Sequence, residues 1–361
     1  MFITKLLTAG IMVAAAATSV QAQEFQIPDS YPSDYAQVLE GAKSEDRLLV
    51  YSNVSAGNWQ PFIDLAKQKF PWMTIETTDD NSLWEKYFAE SGSNVRTADL
   101  IVNTSPERWV DGVERSAFLD YKSPEIPNLP EWSITTGPGV YAASADPFIL
   151  AYNKRAFAEP PKSIADVIAV YKDNPSMQGK VSTYTPERSI GMSLWKSWSE
   201  SQDGSKQLIE QLGPYMTPDT SAGTMREKVM TGEYSAAIFT SGAGIRQYEQ
   251  PAVKAVAGWV FAADGTPVLQ RSVAITSAAS SVNSAKLFLD LLLSREGQIA
   301  FANGGQTPYR ADIEPDDVPY ASLSRIIQEI GEDNIVFITP KADLEDGSEE
   351  FLTFWNEALG R

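Results

Sequence analysis

The sequence predicts an α/β fold in which parallel sheets are covered by helices, arranged in two units. Short apolar strands, polar loops and amphipathic helices alternate between residues 48 and 105, which is the pattern of a parallel sheet. The same alternation returns between residues 181 and 276. A chain of 361 residues is also long enough for two domains or one bilobed unit.

The first 22 residues have the pattern of a secretory signal peptide. Lys5 supplies the positive charge, residues 6–17 form an apolar stretch, and Val20, Gln21 and Ala22 form a small-residue cleavage site. The apolar stretch is too short for a spanning helix, and no cysteine follows it for lipid attachment. We therefore expect a mature chain that begins at residue 23 and is exported to the periplasm as a soluble protein.

The residue composition excludes several kinds of chemistry. The chain has neither cysteine nor histidine, so disulfides, thiolate metal sites, common zinc sites and histidine-based nucleophilic catalysis are excluded. No phosphate-binding loop or Gly-x-Ser-x-Gly motif is present, and Gly242-Ala-Gly244 lacks the third glycine of a dinucleotide fingerprint. The formal net charge of -18 argues against a nucleic-acid partner. We expect a protein that is not an enzyme and needs no cofactor.

The first unit offers polar side chains where its predicted strands end. Strands are predicted at Leu48–Ser52, Met73–Thr77 and Asp99–Asn103, and the helix after the first strand carries an apolar stripe of Trp59, Phe62, Ile63, Ala66 and Phe70. Parallel sheets bind ligands beyond the carboxyl ends of their strands. The predicted contacts of this unit are therefore Ser52, Asn53, Ser55, Asn81, Asn103 and Ser105. Each residue alone is equally suited to cap a helix, so the prediction depends on the set.

The second unit begins with extended segments and a capped helix. A run from Val140 to Ala143 and a second run after Asp146-Pro147 predict two extended segments. Ser163 predicts a helix start in which Asp166 completes a capping box. Further strands are predicted at residues 181–184, 235–240, 255–262 and 271–276.

The loop after the strand at residues 181–184 predicts a binding site for an anion. Pro186 ends the strand, and a helix opens at Glu187-Arg188-Ser189. A helix start offers unpaired N–H groups and the positive end of the helix dipole. The hydroxyls of Thr183, Thr185 and Ser189 and the guanidinium of Arg188 add further donors. The alternative is an ordinary strand–loop–helix joint, with Ser189 or Thr185 as its cap.

The ordered set of motifs resembles the family 1 extracellular solute-binding proteins of ABC importers. The branch it resembles includes ferric-ion, hexose-phosphate, phosphoglycerate and thiamine binders. The segments that carry the resemblance span nearly the whole mature chain: residues 42–52, 97–103, 148–153, 179–181, 188–189, 296–301, 305–310 and 354–359. No segment is diagnostic alone, but their order is specific.

The resemblance implies a bilobed type II periplasmic binding protein with a hinge of extended crossover segments. It implies that residues 23–145 and 275–335 form lobe 1 and that residues 146–274 form lobe 2. The C-terminal helix within residues 336–361 is not assigned to a lobe. Crossovers are expected near residues 143–151 and 273–277. The ligand is expected to bind between the lobes, and a membrane permease is expected to recognise the surface that forms when the lobes close on it.

The resemblance also bears on the ligand. Ferric members of the family use a neighbouring pair of tyrosines in the second lobe, and residues 241–244 here contain no such pair. Thr185, Arg188 and Ser189 match the family position that holds carbonate or phosphate. Weaker expected contacts are Ser241 and Gly242 from the second lobe, and Gln306 and Tyr309 at the floor of the cleft.

The sequence thus predicts a monomeric periplasmic substrate-binding protein that delivers a small organic anion, phosphorylated or carboxylated, to an ABC permease. A ferric-ion-binding protein of an iron importer remains an alternative. So does a sensory accessory that reports its ligand to a two-component system. A hydrolase with a carboxylate base is a third, for which no pair of carboxylates stands out in the sequence.

Overall fold

The structure is a computed structural model that describes residues 25–80, 82–93, 95–172, 174–201, 203–341, 343–344 and 346–361. The predicted signal peptide at residues 1–22 lies outside this part of the chain. Within the described residues, no helix combines the length and the apolar character that crossing a membrane requires.

In chain order the strands are β1 (Leu48–Ser52), β2 (Ile75–Thr77), β3 (Leu100–Asn103), β4 (Val140–Asn153), β5 (Val181–Tyr184), β6 (Met216–Asp219), β7 (Ala236–Ser241), β8 (Ala257–Val260), β9 (Thr266–Ile275) and β10 (Ile335–Ile338). The helices are α1 (Tyr35–Ala42), α2 (Ala56–Lys69), α3 (Leu83–Ser91), α4 (Pro106–Glu114), α5 (Ile164–Tyr171), α6 (Ser189–Ser201), α7 (Ser205–Leu212), α8 (Ala222–Thr231), α9 (Ile245–Tyr248), α10 (Pro251–Lys254), α11 (Val282–Leu293), α12 (Arg295–Asn303), α13 (Leu323–Ile330) and α14 (Ser348–Ala358).

The strands join in the order β2-β1-β3-β9-β4-β7-β5-β6, with β10 beside β9 and β8 beside β4. Pairing is parallel in β2-β1-β3 at one end and in β7-β5-β6 at the other. The central strands β9 and β4 are antiparallel to each other, β9 is antiparallel to β3, and β4 is antiparallel to β7 and β8, whereas β10 runs parallel to β9. The predicted parallel α/β pattern is therefore confirmed in both halves, which two antiparallel strands connect.

Strand β4 is one continuous strand, so the prediction of two separate extended segments was wrong. Its first part, up to Pro147, pairs with β9, and its last part, from Phe148, pairs with β7. Proline lacks the N–H that a strand interior needs, and here it lies where the strand changes partner. The proline therefore marks a change of neighbour instead of a break in the strand.

Each half has its own aromatic core. In the first half, Trp59 of the predicted stripe stacks on Phe301 at a ring-centroid distance of 4.7 Å, and all five stripe residues are buried as predicted. In the second half, Trp195 packs against Phe239 at 4.7 Å and against Trp355 of α14 at 5.1 Å. The C-terminal helix therefore packs on the second half.

The start of α5 shows a cap of the predicted kind with one difference. The Ser163 hydroxyl accepts a hydrogen bond from the Asp166 N–H at 3.0 Å. The Asp166 carboxylate accepts from the N–H of Lys162 at 2.8 Å instead of from Ser163, so the capping box is not closed.

Candidate ligand-binding site

A buried ion pair lies between the two crossover strands. The Arg271 Nε of β9 donates to Asp146 Oδ2 of β4 at 2.9 Å, and Nη2 lies 2.8 Å from the same oxygen. The two side chains are only 7% and 3% exposed, and the Ser144 hydroxyl donates to the other carboxylate oxygen at 2.8 Å. The pair therefore ties the two crossover strands together at the centre of the fold.

The same arginine reaches the loops of the first half. Arg271 Nη1 donates to Asn53 Oδ1 at 2.6 Å, and Asn53 Nδ2 donates to the Thr104 hydroxyl at 3.0 Å. Asn53 also forms a β-bridge with Asp79. The loops that follow β1, β2 and β3 therefore meet at one edge, as the parallel pattern predicted. Asn53, half-buried, connects this edge to the crossover strands.

Two of the predicted ligand contacts in the first half form hydrogen bonds within the protein. The fully buried Ser52 hydroxyl donates to the Thr78 carbonyl at 2.5 Å and accepts from the Trp59 indole at 3.0 Å. Asn103 is 2% exposed, and its Oδ1 accepts from the Trp84 indole at 3.3 Å and from the Ser105 N–H at 2.7 Å. These polar atoms already have partners, so neither residue is part of the site proposed below.

The other predicted first-half contacts are more accessible. Ser55 is exposed, and its hydroxyl donates to Asn58 Oδ1 at 2.9 Å. Ser105 is half-buried and precedes α4, where its side chain makes no capping bond. Asn81 lies outside the described residues.

In the second half, residues 185–191 form a tight turn that ends in α6. The Thr185 carbonyl accepts from the Arg188 N–H at 3.1 Å, and the Thr185 hydroxyl accepts from the Glu187 N–H at 3.4 Å. Ser189 is the first residue of α6, so the N–H groups of its first turn lack intrahelical acceptors. Arg188 is exposed, and its guanidinium has no hydrogen-bond or ion-pair partner among the residues described. This combination of donors is suited to an anion. Thr183 is not part of it, because its side chain is buried and its hydroxyl accepts from the Trp195 indole at 2.9 Å.

Gly191 allows the turn to close, and we expect Gly191→Ala to disrupt it. A Cβ at this position would lie 2.1 Å from the Thr185 carbonyl oxygen and 3.0 Å from the Pro186 nitrogen, and both are backbone atoms. The backbone must shift, which we expect to lower the free energy of unfolding by about 1–3 kcal/mol in a urea titration. The matched control is Gly223→Ala in α8, whose Cβ would meet only the Ser221 hydroxyl at 3.6 Å. Equal stability of the two variants would contradict this account of the turn.

The two halves touch where the loop after α12 meets the turn after β7. Gly242 in that turn is buried against Pro147, and its half-buried neighbour Ser241 ends β7. Gly305 has φ of +100°, which favours glycine, and its Cβ position lies 3.2 Å from the Ala243 carbonyl. Arg246 Nη1 donates to the Gly57 carbonyl of the first half at 3.1 Å. These contacts join the two halves at this point.

Gln306 and Tyr309 differ in how they are used. Gln306 is 2% exposed, and its Oε1 has no hydrogen-bond partner within the described chain. The Tyr309 hydroxyl donates to the Ala142 carbonyl at 2.6 Å, and its ring lies 5.0 Å from the Trp132 ring. Gln306 therefore has an acceptor oxygen available for a ligand. The Tyr309 hydroxyl already has a backbone partner, and the Tyr309 ring packs in the core.

The sequence analysis missed Arg271 and Asp146 as a pair and Arg226 entirely. Arg226 of α8 is half-buried, and nothing in the described part of the chain pairs with its guanidinium. A charged residue within the apolar pattern of β9 was a usable signal for Arg271, since a buried charge needs a partner. Arg226 gave no such signal, because arginine is common on exposed helix faces.

Acidic metal ligands are not clustered in the part of the chain that the structure describes. No group of three or more aspartate or glutamate residues there could hold a metal ion.

The fold is similar to that of several solved binding proteins. The substrate-binding protein of an ABC transporter from Agrobacterium tumefaciens has a TM-score of 0.74 at 19% identity, covering 89% of this chain and 97% of that one. Iron-bound HitA from Pseudomonas aeruginosa has a TM-score of 0.65 at 16% identity, covering 87% and 99%. The periplasmic binding protein AfuA from Actinobacillus pleuropneumoniae, with exogenous fructose-6-phosphate bound, has 0.62 at 17%, covering 88% and 99%. At these identities the likeness shows the fold, and it confirms the predicted bilobed type II architecture.

No curated protein sequence matches the chain. The sequence model of one family, described as bacterial extracellular solute-binding protein, matches residues 66–323. This span covers more than half of the chain and includes both crossover strands, β4 and β9. The chain therefore belongs to the bacterial extracellular solute-binding proteins.

Proposed function

We propose that this protein is the periplasmic substrate-binding component of an ABC importer and that it captures a small organic anion between its two lobes. Membership of the extracellular solute-binding family supports the binding role. The likeness to a substrate-binding protein of an ABC transporter supports the importer. The anion is inferred from the chain itself, since the start of α6 combines free N–H groups, two hydroxyls and an unpaired guanidinium.

We propose lobe limits on the two crossover strands, near residue 145 in β4 and between Leu269 and Val273 in β9, because Leu269 is buried in the second core and Val273 in the first. The separate aromatic cores support this division. We assign the segment from Ala321 onward to lobe 2, because Leu323, Ile326 and Trp355 are buried in the core that contains Trp195. The limits predicted from the sequence placed residues up to 335 in lobe 1.

In this proposal the second lobe holds the charged group and the first lobe contacts the remainder of the ligand. Thr185, Arg188 and Ser189 supply the donors for the charge. Asn53, Ser55 and Ser105 line the first-lobe edge, and Ser241, Gly242 and Gln306 border the contact between the lobes. Neutral donors reject a wrong ligand because it leaves them buried without partners.

We expect Arg188→Ala to weaken binding of an anionic ligand by about 1.5–3 kcal/mol, which is roughly ten- to a hundredfold. The exposed guanidinium has no hydrogen-bond or ion-pair partner in the described part of the chain, so the fold should be unaffected. Isothermal titration calorimetry with fructose 6-phosphate, inorganic phosphate and citrate measures the effect. Arg155→Ala is the control matched in charge, because Arg155 is exposed just beyond β4 at the end remote from the crossover.

Equal affinities of Arg188→Ala and the wild type would remove Arg188 from the site. Tight binding of thiamine or of ferric ion without an anion would instead favour one of the other ligands bound by proteins of this fold.

A further inference from the structure

We propose that Arg226, Gln247 and Tyr248 form a subsite of the second lobe that binds an anionic group carrying a neighbouring hydroxyl, as in a hydroxycarboxylate or a sugar phosphate. Arg226 and Tyr248 bind the anionic oxygen, and the ligand hydroxyl donates to Gln247. The inference rests on the proposed function, because it specifies the chemical class of the ligand that the cleft captures.

The three side chains face one small space, which is left open by a glycine. A Cβ placed on Gly244 would lie 3.5 Å from Arg226 Nη1, 3.9 Å from Tyr248 Cε2 and 4.0 Å from Gln247 Oε1. Arg226 comes from α8, whereas Gln247 and Tyr248 come from α9. Two separate elements therefore bring polar atoms of Arg226 and Gln247 to one point, and the ring edge of Tyr248 borders it.

The polar groups at this point lack partners. Tyr248 is 2% exposed and its hydroxyl has no hydrogen-bond partner, and the buried Oε1 of Gln247 has none either, within the residues that the structure covers. A buried polar atom without a partner is destabilising, so such atoms are rare in folded proteins. Two of them beside an unpaired guanidinium are explained if a ligand supplies the missing hydrogen bonds.

The electrostatics assign a donor role to Tyr248. Burial raises the pKa of Tyr248, and the nearby Arg226 guanidinium opposes this rise only in part. Burial likewise raises the pKa of the adjacent Tyr184 to about 12, against the smaller effect of the Ala222 N–H. Both hydroxyls keep their protons at neutral pH. Together with Arg226 they favour an anion in a protein whose net charge of -18 repels anions overall.

The subsite borders the contact between the lobes. Arg246, which precedes Gln247 in α9, donates to the Gly57 carbonyl of lobe 1 at 3.1 Å. The Ala243 carbonyl, next to Gly244, approaches the Cβ position of Gly305 to 3.2 Å. A ligand held at Gly244 therefore lies close to the contacts that join the two halves.

The test compares the wild type with Tyr248→Phe, Arg226→Met and Gly244→Ala. Thermal shift and calorimetry use paired probes that differ in one hydroxyl or in the sugar: malate and succinate, and fructose 6-phosphate and methyl phosphate. We expect the wild type to prefer the hydroxylated member of at least one pair. Each variant should bind that member at least tenfold more weakly.

The three variants are designed to fold. Tyr248→Phe removes an unsatisfied hydroxyl, so the melting temperature of the free protein should be equal or higher. The methyl group of Gly244→Ala meets its neighbours at ordinary contact distances and occupies only the proposed ligand space. Tyr171→Phe is the matched control, because the Tyr171 hydroxyl is also buried with no hydrogen-bond partner among the residues described, but belongs to α5. It should leave binding unchanged.

The outcomes separate the two proposals. If the wild type binds none of the anions, the proposed function fails and this inference fails with it. If the wild type binds an anion and all three variants bind it equally well, only the inference is overturned. Equal affinity for both members of each pair would overturn the role of the hydroxyl. A coloured ferric complex that is lost in Tyr248→Phe would replace the anion subsite by an iron site.

Discussion

Replacing Arg271 by methionine is expected to lower the free energy of unfolding by about 3–5 kcal/mol, the usual cost of removing one partner from a buried ion pair. The Asp146 side chain is 3% exposed, and without Arg271 the hydrogen bond from Ser144 would be the one that its charge retains from the described residues. The substitution would also leave Asn53 Oδ1 without its donor. Urea denaturation followed by tryptophan fluorescence measures the loss.

Two further variants make this prediction specific. Replacing both partners, in Arg271→Met with Asp146→Leu, should recover most of the stability, since an apolar pair needs no compensating charge. Arg47→Met should cost no more than about 1 kcal/mol, because the Arg47–Glu76 pair is 40% and 46% exposed. A loss below 1 kcal/mol in Arg271→Met itself would show that the pair does not hold the crossover strands together.

The second large effect concerns Asp290 in α11, where three hydroxyl groups surround a buried carboxyl group. Tyr35 and Tyr121 donate to Oδ2 and Ser123 donates to Oδ1, each at 2.7 Å. Burial raises the pKa of Asp290 from 3.8 to about 6, although the three hydroxyls act to lower it. The folded protein therefore holds this proton more tightly than the unfolded chain does.

We expect the contribution of Asp290 to stability to be present below about pH 4 and to be lost as the pH rises to about 6. A pKa difference of about two units corresponds to about 3 kcal/mol. Asp290→Asn cannot titrate, and its amide oxygen can accept from both tyrosine hydroxyls while its NH2 group donates to the Ser123 hydroxyl. Its stability relative to the wild type should therefore increase by about this amount between pH 4 and 7. Urea titrations of both proteins at several pH values measure the difference.

Asp312→Asn provides a control with the opposite sign. The hydrogen bond from Arg310 lowers the pKa of Asp312, so the stability that Asp312 contributes is present near neutral pH and is lost on acidification. The advantage of the wild type over Asp312→Asn should therefore shrink as the pH falls. A stability difference between the wild type and Asp290→Asn that is constant from pH 4 to 7 would show that Asp290 titrates normally.

Much of the fold follows from local patterns. The apolar stripe of α2 and the apolar runs of β1 and β3 depend on neighbours within a few residues, and hydrophobic periodicity reports such neighbours directly. The burial of Asp290 could also have been predicted, because a single carboxylate within the apolar run of α11 indicates a buried charge with partners.

The candidate site was less predictable because it is built from long-range contacts. Asn53, Asp146 and Arg271 meet although far apart in the chain, and no spacing rule connects them. Ser52 and Asn103 show a related difficulty. A hydroxyl or amide at a strand end serves equally well as a ligand contact or as an internal acceptor, and only the nearby Trp59 and Trp84 indoles decide between these uses.

The sequence by itself determined the two α/β units, the position of the turn at residues 185–191 and the absence of histidine and cysteine chemistry. These properties depend on residue type and on short-range order. The tertiary structure alone decided that β4 serves both halves, that α14 packs on the second, and that Arg226 faces Tyr248 across Gly244. Each of these results depends on which distant surfaces pack together, and packing is a property of the whole chain.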